Sequence, residues 1–422
     1  MPQTISEKIL SEHSIDKKKK YANDIVECEV DYIMVNDVTG LPAFKAYTNF
    51  NVPPKREKIV LIPDHYVPNK DIPSAEQAKA MREFAKKYNI ENYFEVGRGG
   101  VCHQIMIEKG FVAPGRLIVG ADSHTCTYGA LNCFSTGIGS TEAACAFATG
   151  TLWFKVPETI KFNINGKDGK LKKFVCGKDI ILRIIKDIGV DGALYKAMEF
   201  YGNVCKNLEI SDRLTISNMA VEAGAKAGIF PADEKTEEFL RNRVKGKYKK
   251  IFADENAEYC EKFDYDADDF VPMVAMPYLP SNGKPASELS NVEIDQAYLG
   301  SCTNGRIEDL RIAAKILKGK KIKEGVRMIV VPASTEVYLQ ALKEGLIEIF
   351  IEAGCFVSGP TCGACLGGYM GVLAKGEKCI SSTNRNFIGR MGHKESYVYL
   401  ASPAVVAASA LTGRITDPNE IM

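Results

Sequence analysis

The sequence predicts an α/β fold made of three units whose sheets are largely parallel. Short runs of β-branched and other apolar residues end in polar corners, as in "KIVLIPDH" and "RLIVGADSHT". Between these runs, residues 74–88 and 305–317 carry apolar side chains at every third or fourth position. Strands that alternate with helices in this way are typical of parallel sheets covered by helices. In such sheets ligands bind beyond the carboxyl ends of the strands, where the polar corners fall.

Two changes of pattern divide the chain into units 1–157, 158–285 and 286–422. After Val156 the sequence becomes "VPETIKFNINGKDGK", which predicts a hairpin with its turn at Asn165-Gly166 or Asp168-Gly169. The polar linker "YLPSNGKPASELSN" then precedes the next predicted strand. A chain of 422 residues has room for these units at roughly 100–200 residues per domain.

Charge and cysteine content restrict the partners and the compartment. The formal net charge of +1 gives no overall field that would favour nucleic acid or an anionic membrane, so we predict neither as a partner. Thirteen cysteines, without the dense spacing of a disulfide scaffold, indicate a reducing cytoplasm. The N-terminus "MPQTISEKIL" lacks the apolar core of a signal peptide. The apolar stretch 397–411 is shorter than the roughly 20 residues of a membrane span, and Pro403 and Gly413 mark the ends of a soluble helix.

Three cysteines in glycine-rich loops are the candidate metal ligands. The segment "GPTCGACLGG" contains Cys362 and Cys365, and "GSCTNGR" places Cys302 between a predicted strand and a predicted helix, whose N-terminus would stabilise a thiolate. A Cys-x-x-Cys pair is found in redox disulfides, in zinc sites and in iron–sulfur clusters. The redox pair is disfavoured because Gly363-Ala364 lies in a loop.

The spacing of these cysteines fits two kinds of metal site equally well. Three cysteines suit a 4Fe–4S cluster in which one iron has no cysteine ligand and can bind a substrate oxygen as a Lewis acid. A structural zinc site with a histidine as the fourth ligand fits the same spacing. The second possibility would make the chain a zinc- or cluster-binding protein without catalytic activity.

Three of the five histidines lie at polar corners beside acidic or small polar residues. A neighbouring carboxylate raises the pKa of an imidazole and fixes its tautomer, as general acid–base catalysis requires. Ser123, in the same corner as His124, is a candidate substrate contact. The candidate residues in these corners are Asp64, His65, His103, Asp122, Ser123 and His124.

The segment "SNMAVEAGAKAGIFP" predicts a partly buried acid. Asn218 and Glu222 are four residues apart and would share one face of a helix. Because the surrounding residues are Ala, Met and Gly, we expect burial to raise the pKa of Glu222, which would then act as an acid or as an orienting group. The alternative is an exposed glutamate on a helix.

The segment "NRNFIGR" predicts a clamp for carboxylate groups. Arg385 and Arg390 are five residues apart and can each bind a carboxylate with two hydrogen bonds, with Asn384 beside them. The alternative is a pair of surface arginines on a turn. The nearby glycine-rich loop favours the clamp.

Taken together, the motifs resemble the aconitase superfamily of iron–sulfur hydro-lyases. The segments "PDH", "GGVCHQ", "ADSHT", "SNMAVEAGA", "GSCTNGR", "GPTCGACLGG" and "STNRNFIGR" occur in the family's order over nearly the whole chain. The resemblance implies three α/β domains around a central iron–sulfur cleft, with Cys302, Cys362 and Cys365 as cluster ligands. It implies that Arg385 and Arg390, with Asn384, hold substrate carboxylates. It implies acid–base and orienting roles for Asp64, His65, His103, Asp122, His124 and Glu222.

Two departures from single-chain aconitases narrow the implied function. Gly40 and Leu41 stand where aconitases carry a glutamine that contacts substrate, so citrate is not the expected substrate. The sequence stops at Met422, where single-chain aconitases continue into a swivelling domain that supplies a serine base. The resemblance is therefore to the large subunit of two-chain members in the archaeal-like branch. It implies a separately encoded small subunit and a 2-hydroxy di- or tricarboxylic acid that is dehydrated and rehydrated.

Overall fold

Three separate sheets and one short ribbon organise the chain. The computed structural model describes residues 1–244 and 246–422. Each sheet is packed against helices, and two of the three sheets are entirely parallel, so the predicted α/β class is confirmed. In the described parts of the chain, no helix is both long and apolar enough to cross a membrane.

The first sheet and the ribbon are formed by residues before 156. The ribbon pairs β1 (Ile25–Glu29) with β6 (Thr151–Lys155) in antiparallel orientation. The parallel sheet has the order β3 (Ile59–Leu61), β2 (Tyr32–Val35), β4 (Leu117–Gly120) and β5 (Phe134–Gly137). Its helices are α1 (Ile5–His13), α2 (Asp37–Tyr47), α3 (Ile72–Tyr88), α4 (Cys102–Glu108) and α5 (Ser140–Thr149).

Helix α3 confirms the helix predicted at 74–88 and begins two residues earlier. Asp71 caps its N-terminus, since the Asp71 side chain accepts the backbone N–H of Ser74. A proline follows in the first turn, where its missing N–H has no cost. Phe84 from this helix stacks on Phe44 of α2, with 4.0 Å between ring centroids, and so fixes both helices to the core of the first sheet.

The second sheet is also wholly parallel. It has the order β10 (Glu261–Asp266), β7 (Thr159–Asn165), β8 (Ala197–Tyr201) and β9 (Ala227–Ile229). Because both neighbours of β7 run parallel to it, the hairpin predicted after residue 157 is wrong. The Asn165-Gly166 turn leads out of the sheet and towards a helix. The helices of this part are α6 (Gly177–Ile188), α7 (Asn203–Asn207), α8 (Ile210–Met219) and α9 (Glu234–Leu240).

The third sheet has seven strands, and all its pairs are parallel except those of β11. Its order is β12 (Gly283–Pro285), β11 (Met273–Ala275), β17 (Tyr397–Ala401), β16 (Lys378–Ser381), β13 (Gln296–Leu299), β14 (Arg327–Val330) and β15 (Phe356–Val357). Its helices are α10 (Ser301–Asn304), α11 (Ile307–Leu317), α12 (Thr335–Lys343), α13 (Leu346–Ala353) and α14 (Pro403–Thr412). Strands β11 and β12 precede residue 286 but belong to this sheet. The unit boundaries at 158 and 286 stay a prediction.

The carboxyl ends of the strands position the functional side chains. In the first sheet, β3 leads to Asp64 and β4 leads to Asp122. In the third sheet, β13 leads to Cys302 and β16 leads to Asn384. The predicted helices at 305–317 and 403–413 are confirmed as α11 and α14; the latter has Pro403 in its first turn and ends at Gly413. The polar corners of two sheets therefore meet at one cavity.

Candidate active site

One cavity of about 260 Å³ gathers the predicted functional residues. All of the site residues predicted from the sequence line this cavity except Glu222, which lies behind its wall in contact with two lining residues. The lining residues are Val38, Asp64, His65, Val101, Cys102, His103, Asp122, Ser123, His124, Cys302, Cys362, Cys365, Leu366, Asn384, Arg385 and Arg390.

Asp37 organises one wall of the cavity, together with Asp64 and His65; these three residues are called the acid corner below. The buried Asp37 carboxylate accepts the backbone N–H groups of Asp64 at 2.9 Å and of His65 at 2.8 Å. Asp64 Oδ1 lies 2.6 Å from His65 Nδ1, and Asp64 Oδ2 accepts the backbone N–H of Cys102 at 2.7 Å. Both carboxylates are therefore held in fixed orientations, and His65 Nε2 accepts or donates no hydrogen bond among the described residues.

Three carboxylates determine the charge of His65. Besides the contact with Asp64, His65 Nε2 is 3.6 Å from Asp122 and His65 Nδ1 is 3.9 Å from Asp37. Burial alone would lower the pKa of His65. The charges of the three carboxylates and the hydrogen bond to Asp64 outweigh burial and raise that pKa from 6.5 to about 10. His65 is therefore an imidazolium at neutral pH and can donate a proton.

Asp122 connects two further histidines. Its Oδ1 lies 2.9 Å from His103 Nε2 and accepts the backbone N–H of His124 at 2.9 Å. The other nitrogen of His103 lies 2.9 Å from the hydroxyl of Tyr128. Burial would raise the pKa of Asp122, but the hydrogen bonds and charges of His103 and His124 lower it well below 3.8. Asp122 is therefore an anionic centre that orients the His103 imidazole and holds the backbone of His124.

Glu222 joins His124 to Arg385. Helix α8 ends before it, and Glu222 lies in a 3₁₀ turn, Ala220–Ala223. Its Oε1 is 2.9 Å from His124 Nε2 and accepts the Nε–H of Arg385 at 2.7 Å. The prediction that the pKa of Glu222 is raised is wrong. Burial does act in that direction, but the hydrogen bond to His124 and the charge of Arg385 outweigh it, and the pKa of Glu222 is lowered.

Cys302 is held by a strained loop and by two amides. Ser301, immediately before it, has a φ of 75°, a left-handed conformation that costs on the order of 1–3 kcal/mol for a residue other than glycine. The side-chain amides of Asn218 and Asn384 donate to the Cys302 sulfur at 3.2 and 3.3 Å. Arg306 donates to the Cys302 carbonyl at 2.7 Å. Both the backbone and the sulfur of Cys302 are thus fixed.

The glycine-rich loop brings Cys362 and Cys365 to the same cavity. Gly363 has a φ of 63°, and a Cβ on it would lie 2.3 Å from the Tyr298 hydroxyl oxygen, so only glycine fits there. The backbone N–H of Cys362 donates to the Asp64 carbonyl at 2.8 Å. The cysteine loop and the acid corner are therefore joined directly through their backbones.

The three cysteine sulfurs do not form a compact ligand group. Zinc–sulfur bonds of about 2.3 Å place the thiolates of a tetrahedral site about 3.8 Å apart. Within the described residues, only the acid corner forms a group of three candidate ligand atoms that all lie within 4.8 Å of one another. At least one pair of sulfurs among Cys302, Cys362 and Cys365 is therefore farther apart than a shared zinc ion allows. This arrangement disfavours the alternative of a zinc site at these three cysteines.

The buried thiols must lose protons when a metal binds. Burial raises the pKa of Cys302 to about 12, and a hydrogen bond to Cys365 raises the pKa of Cys362 well above 9. The same hydrogen bond, helped by the charge of Arg390, lowers the pKa of Cys365 well below 9. Cluster assembly at this site therefore releases protons.

The arginine side chains face the cavity from two directions. Arg385 is held by Glu222, and its side chain is 19% exposed. Arg390 is packed beside Cys365, with 4.0 Å between Arg390 Nη2 and the Cys365 sulfur, and its Nε–H has no partner among the described residues. A partly buried guanidinium whose Nε–H donor is unused is suited to bind an anionic ligand.

Several residues of the site were not identified from the sequence. Asp37 follows the end of β2 as Asp64 follows β3, so the pattern of polar corners could have indicated it. Arg306 lies in "GSCTNGR" and Tyr128 follows "ADSHT" by three residues, but the identity of their partners depends on three-dimensional contacts. Lys178 lies in no motif and is distant in sequence from its partners.

Comparison with known proteins agrees with the geometry. A model of the Aconitase family (aconitate hydratase) matches residues 7–291 and 282–413. The chain belongs to the aconitase family. Membership of this family implies a 4Fe–4S cluster, which the three buried cysteines fit.

Curated relatives match the chain over its full length. It is 57% identical to the 3-isopropylmalate dehydratase large subunit of Caldicellulosiruptor saccharolyticus, over 100% of this chain and 98% of that protein. It is 56% identical to the protein of that name from Thermodesulfovibrio yellowstonii, over 100% of both chains. The crystal structure of Thermococcus kodakaraensis aconitase X aligns with 85% of this chain and 84% of its own, at 12% identity and a TM-score of 0.49. That similarity is too low to add to the assignment.

We predict that Asp64 keeps His65 protonated. Among the three carboxylates, Asp64 raises the pKa of His65 most. In Asp64→Asn this carboxylate is lost, so the pKa of His65 should fall from about 10 towards 6.5. Because the pKa in the folded state is raised, the charge pairing stabilises the fold fully below pH 6.5 and is lost as the pH rises through about 10. NMR titration of the imidazole in both proteins measures the change.

Asp168→Asn is the control, since this carboxylate is exposed and remote from the cavity. It should leave the titration of His65 unchanged. If His65 titrates near 6.5 in the unmodified chain, the carboxylates do not control its charge.

Proposed function

We propose that this chain is the large, cluster-binding subunit of an iron–sulfur hydro-lyase that converts 2-isopropylmalate to 3-isopropylmalate in leucine biosynthesis. The main support is that one cavity holds three cysteine sulfurs, a protonated histidine and two arginines. The name shared by the full-length relatives supports the choice of substrate. The large subunit of a homoaconitase or of a citramalate isomerase is the alternative. All thirteen cysteines are free thiols, which supports a cytoplasmic location.

Cys302, Cys362 and Cys365 would hold the cluster. When bound there, the cluster would supply Lewis-acid chemistry through an iron that lacks a cysteine ligand. Asn218 and Asn384 donate hydrogen bonds to the Cys302 sulfur and would stabilise its thiolate form. The compact spacing expected of a structural zinc site is absent at these three cysteines, which disfavours a non-catalytic zinc protein.

His65 would act as the acid that protonates the departing hydroxyl group. Its Nδ1 is occupied by Asp64, so the proton on Nε2 is available on the cavity side. Transfer of this proton to the hydroxyl oxygen releases water as the carbon–oxygen bond breaks. Asp37 and Asp64 then hold the neutral imidazole in place until water adds back and returns the proton.

Arg385 and Arg390 would bind the carboxylates of the substrate. Each presents a guanidinium to the cavity, and charge-assisted hydrogen bonds to carboxylates are strong and directional. Asn384 and Ser123 line the same space and would contact the remaining polar groups. Glu222 would act by orienting Arg385 and His124, because its contacts are with these two side chains.

A second chain is needed to complete the reaction. A base must remove a proton from the carbon adjacent to the one that bears the hydroxyl group. Each acidic or basic side chain at the cavity is already paired with another side chain or assigned to another step. We therefore propose that a small subunit docks over the cavity and supplies the base and part of the specificity. Phe387 (42% exposed) and Ile388 (66% exposed) follow Arg385 in the chain and would pack against the small subunit.

Serine substitutions should identify the cluster ligands. In anaerobically reconstituted protein, Cys302→Ser, Cys362→Ser and Cys365→Ser should each abolish the broad visible absorbance and lower the iron content from about four per chain. Cys379→Ser is the matched control, a buried cysteine of the same sheet that does not line the cavity. Full absorbance in any one of the three variants would remove that residue from the ligand set.

Arg385→Ala should lower kcat/KM of the assembled enzyme by roughly 10²–10³-fold, because a charge-assisted contact worth about 2–5 kcal/mol is lost. Steady-state kinetics with 2-isopropylmalate measures the effect. Arg414→Ala, an exposed arginine outside the cavity, should leave kcat/KM unchanged. Equal kinetics in both variants would place Arg385 outside the substrate site.

The lone chain with an intact cluster should turn over hydroxy acids negligibly, because general acid–base assistance is worth about 10²–10⁴ in rate. Adding the small subunit should produce activity, and a comparison of 2-isopropylmalate, homocitrate and citramalate identifies the substrate. Preference for either of the last two would refute the proposed substrate but not the reaction type. Full activity of the lone chain would show that it contains the base.

Ile388→Asp should weaken binding of the small subunit, as measured by titration calorimetry. The matched control is Ile351→Asp, because this isoleucine has a similar exposure of 61% and lies on α13. Equal affinities in the two variants would place the docking surface elsewhere.

A further inference from the structure

A lysine from the second sheet region lies behind the candidate active site. Lys178 is in the first turn of α6, and its side chain is fully buried. Its ammonium group donates to the carbonyl of Ser382 at 2.8 Å, to the carbonyl of Thr383 at 2.6 Å and to Asn304 Oδ1 at 3.3 Å. An ammonium group has three N–H donors, so each donor has one acceptor.

These acceptors belong to the two loops that carry the functional groups of the third sheet. Asn304 ends α10, the short helix that contains Cys302. Ser382 and Thr383 come directly before Asn384 and Arg385. Lys178 therefore connects the cysteine loop after β13 to the arginine loop after β16, although it belongs to neither.

Burial of the positive charge of Lys178 carries a desolvation penalty. Its three hydrogen-bond partners among the described residues are neutral carbonyl and amide oxygens. Burial lowers the pKa of Lys178 to about 8, and the acidic groups that oppose this effect are Cys176, Asp309 and the site cysteines Cys365 and Cys302. An apolar residue would fill the same space without the desolvation penalty.

We propose that Lys178 is a positioning residue that locks the Cys302 loop and the Arg385 loop together from behind and places a positive charge on the side of the cysteine ligands. The hydrogen bonds from Lys178 to the two loops are present in the structure. The effect on the cluster rests on the proposed function. Because Lys178 holds both loops in one arrangement, the Cys302 sulfur and the Arg385 guanidinium stay at a fixed separation.

Hydrogen exchange in the cluster-free full chain tests the loop contacts. Lys178→Met removes the donors and the charge, and Lys178→Gln retains amide donors without the charge. Both should speed amide exchange at residues 300–306 and 382–386, with the smaller effect in Lys178→Gln. Ile181→Ala is the control for general loss of stability, since Ile181 is a buried apolar residue of the same helix that cannot make these hydrogen bonds.

Retention of the reconstituted cluster tests the proposed effect of Lys178 on the cluster. Substitution of a group that supports metal ligands typically costs 10–100-fold in metal affinity, so the visible absorbance of both Lys178 variants should decay roughly 10–100-fold faster in chelator than that of the unmodified chain. Loss of a nearby positive charge should also lower the reduction potential of the cluster. Ile181→Ala should change neither quantity.

Unchanged exchange in both loops, or a uniform rise like that in Ile181→Ala, would overturn the proposal. Unchanged cluster retention and potential would overturn its second part. If Lys178→Met does not fold, Lys178→Gln decides the matter by the same criteria. Failure of the unmodified chain to assemble a cluster would refute the proposed function, while the exchange experiment would still decide the role of Lys178.

Discussion

The pairing of buried carboxylates with basic side chains is the constraint on which the site depends. An unpaired buried charge costs several kcal/mol, so each acid in the cavity wall fixes the base that faces it. Asp122 pairs with the His103 imidazole, Glu222 with that of His124 and Asp64 with that of His65. The protonation state of His65 and the orientations of the His65 and His103 imidazoles are therefore set by the fold before any ligand arrives. This arrangement is electrostatic preorganisation, in which no reorientation is needed during the reaction.

Hydrogen bonds between different sheet regions join the walls of the cavity. The Asp64 carbonyl accepts the backbone N–H of Cys362, so the acid corner of the first sheet and the cysteine loop of the third sheet are joined. Asn218, from the second sheet region, donates to the sulfur of Cys302. These hydrogen bonds are buried and direct, so a small displacement of one sheet would also move the cavity side chains carried by the other sheets.

The sequence predicted the parts of the site that have a local signature. Polar corners after β-branched runs placed Asp64, Asp122 and Cys302 at the ends of parallel strands, and these positions are confirmed. The pKa of Glu222 was predicted in the wrong direction because its partners, His124 and Arg385, are distant in the chain. The hairpin after residue 157 failed for a related reason, since a turn signal does not reveal whether the next strand returns beside the first.

The residues that build the cavity extend from Asp37 to Arg390, and this spread has a consequence for biogenesis. No contiguous fragment of moderate length contains both the acid corner and the arginines. During synthesis, the acid corner stays exposed to solvent until the later loops that carry the cysteines and arginines have been synthesised and pack against it. A cofactor held by Cys302, Cys362 and Cys365 together would therefore bind only after most of the chain has been synthesised.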